Sequence, residues 1–153
     1  MAVADEDLAL WRLLRRAQAR IAHGLEADLL ARHGLPLSSY DVLAHLAEAG
    51  GRLRMNDLAD RMLLSRSGVT RLIDRLQRED LVVREACPED ARGLFAALTE
   101  AGARRLAEAA PTYRDALRAR LAEAFGPRDA AERARCTALL ARLAVPRSGP
   151  DAG

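Results

Sequence analysis

Lysine is absent from this 153-residue chain, and all 24 basic side chains are arginine. Any charge-based grip on a phosphate must therefore come from guanidinium groups or helix amides. Cysteine is scarce: Cys87 and Cys136 are too few and too far apart for a disulfide framework or a zinc site. The three histidines, His23, His33 and His45, show no paired spacing, so a metal role is not expected. Aromatic residues are limited to Trp11, Tyr40, Phe95, Tyr113 and Phe125. No apolar run reaches membrane-spanning length, and Met1 to Asp7 is acidic where a secretory signal would be basic. A cytoplasmic protein with reduced thiols is the expectation. No phosphate loop, nucleophile elbow, metal cluster or pair of catalytic carboxylates is present. An enzyme is not expected, and neither is a cofactor.

Leucine and alanine dominate, favouring helix over sheet. The length suits one domain with a real core. The net charge of +2 is too small to argue for nucleic acid, but its distribution says more. Between Arg52 and Arg78 seven arginines stand against three aspartates, a local excess of +4, so the remaining residues carry −2. A basic patch on a near-neutral chain is the footprint of a nucleic-acid reader.

That patch centres on Ser65 to Asp80, SRSGVTRLIDRLQRED. Val69, Leu72, Ile73 and Leu76 recur at the spacing of one helix face. The other face carries Arg66, Ser67, Thr70, Arg71, Asp74, Arg75 and Arg78. Its guanidinium and hydroxyl groups suit phosphate oxygens and base edges, while Asp74, which cannot help bind phosphate, is expected to orient an arginine. Ser65 is placed to cap the helix. The plainer alternative is a solvated face on an arginine-rich protein.

Around it the periodicity predicts a long helix over about 7–33, stopped by Gly34 and Pro36. A second helix is expected to open at Ser38, with Asp41 in a capping-box variant, and to end at Gly50-Gly51. A very short strand is expected near Leu53, then a helix over 57–62 capped by Asn56. Residues 63–65 turn into the arginine-faced helix, completing a helix-turn-helix. Residues 81–98 read as a hairpin with a polar tip, the wing of a winged helix, with Arg92 near its tip. Thr99 caps another long helix, kinked at Pro111 and broken at Gly126-Pro127. A last helix runs over about 129–145, and 146–153 reads as a disordered tail. The first helix is too long to bury its whole stripe on so small a domain, and a second copy of the chain is the simplest cover.

The run from Met55 to Gly102 resembles the winged-helix core of the MarR family of bacterial transcription regulators. The matching elements are LADRM (58–62), TRLIDRLQ (70–77), DLVVR (80–84), DARG (90–93) and LTEAG (98–102), in the family's order and spacing. Asp80 departs from the pattern, where glycine is commoner. The resemblance implies a mainly α fold with a small β wing. Residues 1–145 would form one MarR-type domain, with dimerisation helices over about 7–33 and 99–145 flanking a winged helix-turn-helix over about 38–98.

It also implies a homodimer on double-stranded DNA, reading a palindromic operator with one recognition helix in each of two successive major grooves. Carried over, the DNA contacts are Ser65, Arg66, Ser67, Thr70, Arg71 and Arg75, with Arg92 entering the minor groove from the wing and Asp90 supporting it. The expected function is a repressor released by a small aromatic or phenolic effector. Trp11, Tyr40, His45 and Tyr113 could line its crevice or equally be ordinary core. The reactive first-helix cysteine of the family's peroxide sensors has no counterpart here, and Cys87 reads as an inert thiol. The competing expectation is a winged helix used for protein interaction or dimerisation without specific DNA binding.

Overall fold

A computed structural model describes residues 5–87, 90–126 and 130–144, the side chains of 87 and 90–92 excepted. The expected tail therefore lies outside the described residues. The order of elements is α1 (Asp5–His33), α2 (Leu37–Glu48), β1 (Arg52–Arg54), α3 (Met55–Met62), α4 (Arg66–Arg78), β2 (Val82–Cys87), β3 (Asp90–Leu98), α5 (Glu100–Phe125) and α6 (Ala130–Ala144). The chain divides into two units, residues 1–116 and 117–153, and α5 runs from one into the other. No described helix is long and apolar enough to cross a membrane.

In the first unit the core gathers where α2, α3 and α4 meet the sheet. Val42, Leu43 and Leu46 of α2, Leu58 of α3, and Val69, Ile73 and Leu76 of α4 are fully buried with Leu29, Leu35 and Val82. Each buried aliphatic side chain of this kind contributes roughly 1.5–3 kcal/mol. Together they clamp the apolar stripe of α4 inward and leave its polar stripe outside.

The sheet has the order β1-β3-β2, antiparallel throughout. Leu53 pairs with Ala96, and Ala96 pairs with Arg84, so these three share the face turned to the helices. Arg54, Phe95 and Glu85 are paired on the opposite face, where the Arg52 and Arg54 guanidiniums lie 5.0 and 5.3 Å from the Phe95 ring centroid.

Two expected caps differ from those observed. α2 starts one residue before Ser38, with Pro36 as its N-cap residue and no side-chain cap. The amide of Leu37 instead donates to the Glu26 carboxylate, so α1 supplies the acceptor that a local serine was expected to provide. α3 likewise starts at Met55 without a side-chain cap, because β1 stays paired up to Arg54 and runs straight into the helix. Asn56 is thus inside the helix.

The caps at the other joints are as the sequence reads. Gly34, at φ 58°, closes α1, whose last carbonyl, on His33, accepts from the Arg105 guanidinium. Thr99 caps α5, accepting from Gly102 N–H at 2.9 Å while its hydroxyl donates to the Asp80 carbonyl. Gly102 has no room for a side chain, since a Cβ there would lie 2.1 Å from the Leu81 carbonyl oxygen. Asp80 sits at φ 62°, the left-handed region, which is the physical reason glycine suits that position. α5 continues through Pro111. In the second unit the Arg133 guanidinium lies 5.6 Å from the Phe125 ring centroid, and α6 buries none of its residues.

Candidate nucleic-acid interface

The interface is built on the first turns of α4. Ser65 stands in extended conformation as N-cap, and its hydroxyl oxygen accepts from Gly68 N–H at 3.1 Å. Ser67 lies 3.2 Å from it, hydroxyl to hydroxyl. Thr70 donates its hydroxyl to the Arg66 carbonyl at 2.9 Å, keeping lone pairs free to accept from outside. Ser65, Arg66, Ser67, Thr70 and Arg71 are all exposed. The Arg71 guanidinium has no partner among the described residues. The structure therefore brings five of the predicted contact residues onto one open surface at a helix N-terminus.

Arg75 is placed differently. Its Nη2 donates to the hydroxyls of Ser38 at 3.3 Å and Ser39 at 2.8 Å, both on α2. Its Nε is buried without a partner. Arg78 turns back on its own helix, with Nε donating to the Asp74 carbonyl at 3.1 Å. The backbone puts Asp90 and Arg92 on β3 beside the hairpin tip, but their side chains lie outside the described residues.

Sequence reasoning passed over Arg84 as a site residue. From the inward face of β2 it reaches across to α4, pairing with the Asp74 carboxylate at 2.7 Å and donating to the Gln77 side-chain oxygen at 2.8 Å and the Thr70 carbonyl at 3.3 Å. Thr70, Asp74 and Gln77 lie at i, i+4 and i+7, so one guanidinium clasps a whole stripe of the helix. That stripe was the available signal. A cavity of about 470 Å³ opens beside the clasp, with Arg54, Arg66 and Arg84 among its walls.

A second polar cluster joins α1, α2 and α5 inside the first unit. The Tyr40 and Tyr113 rings stack with centroids 4.3 Å apart at 17°. Burial pushes both phenol pKa values up; Tyr113 adds to the rise of Tyr40 against the pull of Arg114, and the Asp41 and Glu48 charges add to both. Burial likewise raises the Asp41 carboxyl, with His45 opposing it and Glu26 reinforcing it. His33 Nε2 meets the Thr112 hydroxyl at 2.8 Å. His45 Nδ1 is buried without a hydrogen bond, Glu48 standing 3.6 Å away. Of the four residues expected near a ligand crevice, Tyr40 and Tyr113 are thus in contact, and Trp11 is exposed beside Arg15.

A capped arginine helix, a short helix before it and a hairpin after it form a winged helix-turn-helix, and residues 33–93 match the model of the MarR family. The whole fold agrees with AbsC, a MarR family transcriptional regulator from Streptomyces coelicolor: TM-score 0.77 at 33% identity, covering 94% of this chain and 97% of that one. The chain belongs to the MarR family. A second MarR family regulator from the same organism, Sco3205, was solved in complex with DNA. It gives a TM-score of 0.79 at 31% identity, over 99% of this chain and 96% of its own. Among curated relatives, the HTH-type transcriptional regulator MhqR of Bacillus subtilis (strain 168) is 30% identical over 65% of this chain and 68% of its own length. This MarR chain is accordingly a transcription regulator with a DNA-binding winged helix, and the relatives it resembles are regulators, not enzymes.

Proposed function

We propose that two copies of the chain bind a palindromic operator in double-stranded DNA and repress transcription until a small aromatic or phenolic molecule releases them. The observation that carries this reading is the open cluster of Ser65, Arg66, Ser67, Thr70 and Arg71 on a capped helix held rigidly by its buried stripe. Hydroxyls and a helix N-terminus position the phosphates, and Arg66 and Arg71 reach base edges in the major groove. Arg92 reads the minor groove, with Asp90 as its support. Arg75 works from behind, fixing α4 to α2 through the two serines. A DNA reader of this kind acts in the cytoplasm.

Repression is favoured by the likeness to the HTH-type transcriptional repressor MdtR of Bacillus subtilis (strain 168), 28% identical over 93% of this chain and 87% of its own length. The Tyr40–Tyr113 stack, with Asp41 and His45 beside it, supplies aromatic and polar groups for an effector at the joint of α1, α2 and α5. Such an effector acts only by favouring one arrangement of the two recognition helices over another.

Fluorescence anisotropy on DNA from upstream of the chain's own gene, with a scrambled duplex as control and two salt concentrations, tests the reading. Saturable binding at least about a thousandfold tighter than the control, weakening steeply with salt, is expected. If that duplex binds no better than the control, selection from random duplexes follows. A selection that enriches nothing, or no binding even at low salt, ends the proposal.

A further inference from the structure

The arginines leave Leu63 unexplained. It terminates α3 as the C-cap residue and is 92% exposed, more than any other large apolar side chain among the described residues. Its backbone sits at φ 53°, ψ 37°, the left-handed region, which leucine adopts at a cost and glycine or asparagine adopts readily. Its amide closes the helix on the Asp60 carbonyl at 3.2 Å, a service any residue but proline provides. Neither burial nor backbone preference accounts for a leucine here.

Its surroundings point outward. Arg61, Ser65, Arg66 and Ser67 flank it in sequence and are exposed. The next residue, Leu64, is only 42% exposed and lies against the first turn of α4, its Cβ 3.7 Å from where a Gly68 side chain would begin. Leu63 alone stands clear, an apolar knob among cations and hydroxyls beside the helix start that meets base edges. The partner that matches is anionic overall with small apolar points in its groove. Duplex DNA has that surface, and its apolar point in the major groove is the thymine methyl.

We propose that Leu63 packs on a thymine methyl at the edge of each half-site and so sets a preference for thymine there. The inference rests on the DNA-reading function above and adds a specificity residue outside the recognition helix. Selection of duplexes from a random pool by the wild-type protein provides the probe. Anisotropy on that duplex then compares wild type, Leu63→Asn and Leu63→Met, with deoxyuridine replacing each thymine in turn.

Leu63→Asn is expected to melt no lower than wild type while binding about tenfold more weakly, and Leu63→Met to bind as wild type does. For the wild type, one uracil position per half-site costs about fourfold, the factor carried by one buried methyl. The same replacement leaves Leu63→Asn binding unchanged. Undiminished binding by Leu63→Asn overturns the inference, as does a uracil penalty shared by both proteins. A lowered melting temperature for Leu63→Asn does so as well, because it makes Leu63 a structural residue. Failure of the wild type to enrich any duplex is a different result, and it removes the DNA reading itself.

Discussion

Arg71 and Arg75 stand one helical turn apart, yet their environments divide them. Arg71 is exposed with no partner among the described residues, whereas Arg75 is tied to Ser38 and the buried Ser39. Arg71→Ala is therefore expected to weaken operator binding by about 1–3 kcal/mol, relax sequence preference and leave the melting temperature unchanged. Arg75→Ala breaks charge-assisted bonds at the α2–α4 joint, so it is expected to cost about 1–3 kcal/mol of stability and to weaken DNA binding as a consequence. Thermal denaturation separates the two, and an Arg75→Ala protein that melts like wild type would return that residue to the DNA surface. Asp41 gives a pH signature. Its folded-state pKa is raised, chiefly by burial, above the ordinary value of 3.8. Its contribution is thus most favourable at pH below that value and is lost as pH rises through the folded pKa, leaving a half-buried charge as a cost at neutral pH. Asp41→Asn should raise the melting temperature at pH 7, with the gain vanishing below about pH 4. A gain that persists in acid would assign the effect to something other than ionisation.

Between elements, the joint that decides the reading surface is Arg84 across Asp74, Gln77 and the Thr70 carbonyl. It fixes the hairpin to the flank of α4, so wing and recognition helix present themselves as one body. Both charges are partly exposed, and Arg84→Ala is expected to cost only about 1 kcal/mol of stability. Its larger effect should be faster hydrogen exchange in β2 and β3 and a severalfold loss of DNA affinity, while exchange in α2 stays as it was. Unchanged exchange in the hairpin would mean the clasp does not hold the wing. The sequence disclosed helices that announce themselves locally: the Ser65 and Thr99 caps, the Gly34 stop and the stripe of α4 all depend on neighbours within a few residues. It was silent where the partner comes from elsewhere. Glu26 caps α2 from α1, β1 removes the need for an Asn56 cap, and Ser38 binds Arg75 instead of capping its own helix. Asp74 was recognisable as a residue that orients an arginine, but choosing Arg84 over Arg71 or Arg75 requires knowing which face of the hairpin meets the helix.

At the scale of the whole molecule the surface still to be explained is apolar. The first unit closes its own core, yet α1 buries only Leu25 and Leu29 and leaves Leu10, Trp11 and Leu13 in the open. In the second unit α6 exposes Leu139, Leu140 and Leu143. Water does not favour such open faces unless something covers them, and a second copy would both cover them and serve the proposed function. Two winged helices joined in this way can engage half-sites one DNA turn apart, and binding of the second becomes intramolecular, at an effective concentration in the millimolar range. Dimerisation then supplies affinity that no single contact residue can. Leu13 is 61% exposed in the single chain, so Leu13→Glu should leave the winged-helix core intact. Sedimentation is expected to show monomers for this variant, and affinity for the full palindrome should fall by at least about a hundredfold. Affinity for an isolated half-site should not change. A dimer that survives the substitution would move the interface away from α1. A monomer that still binds the palindrome as tightly would show that the two recognition helices were never coupled, and an effector acting on their spacing would then have nothing to move.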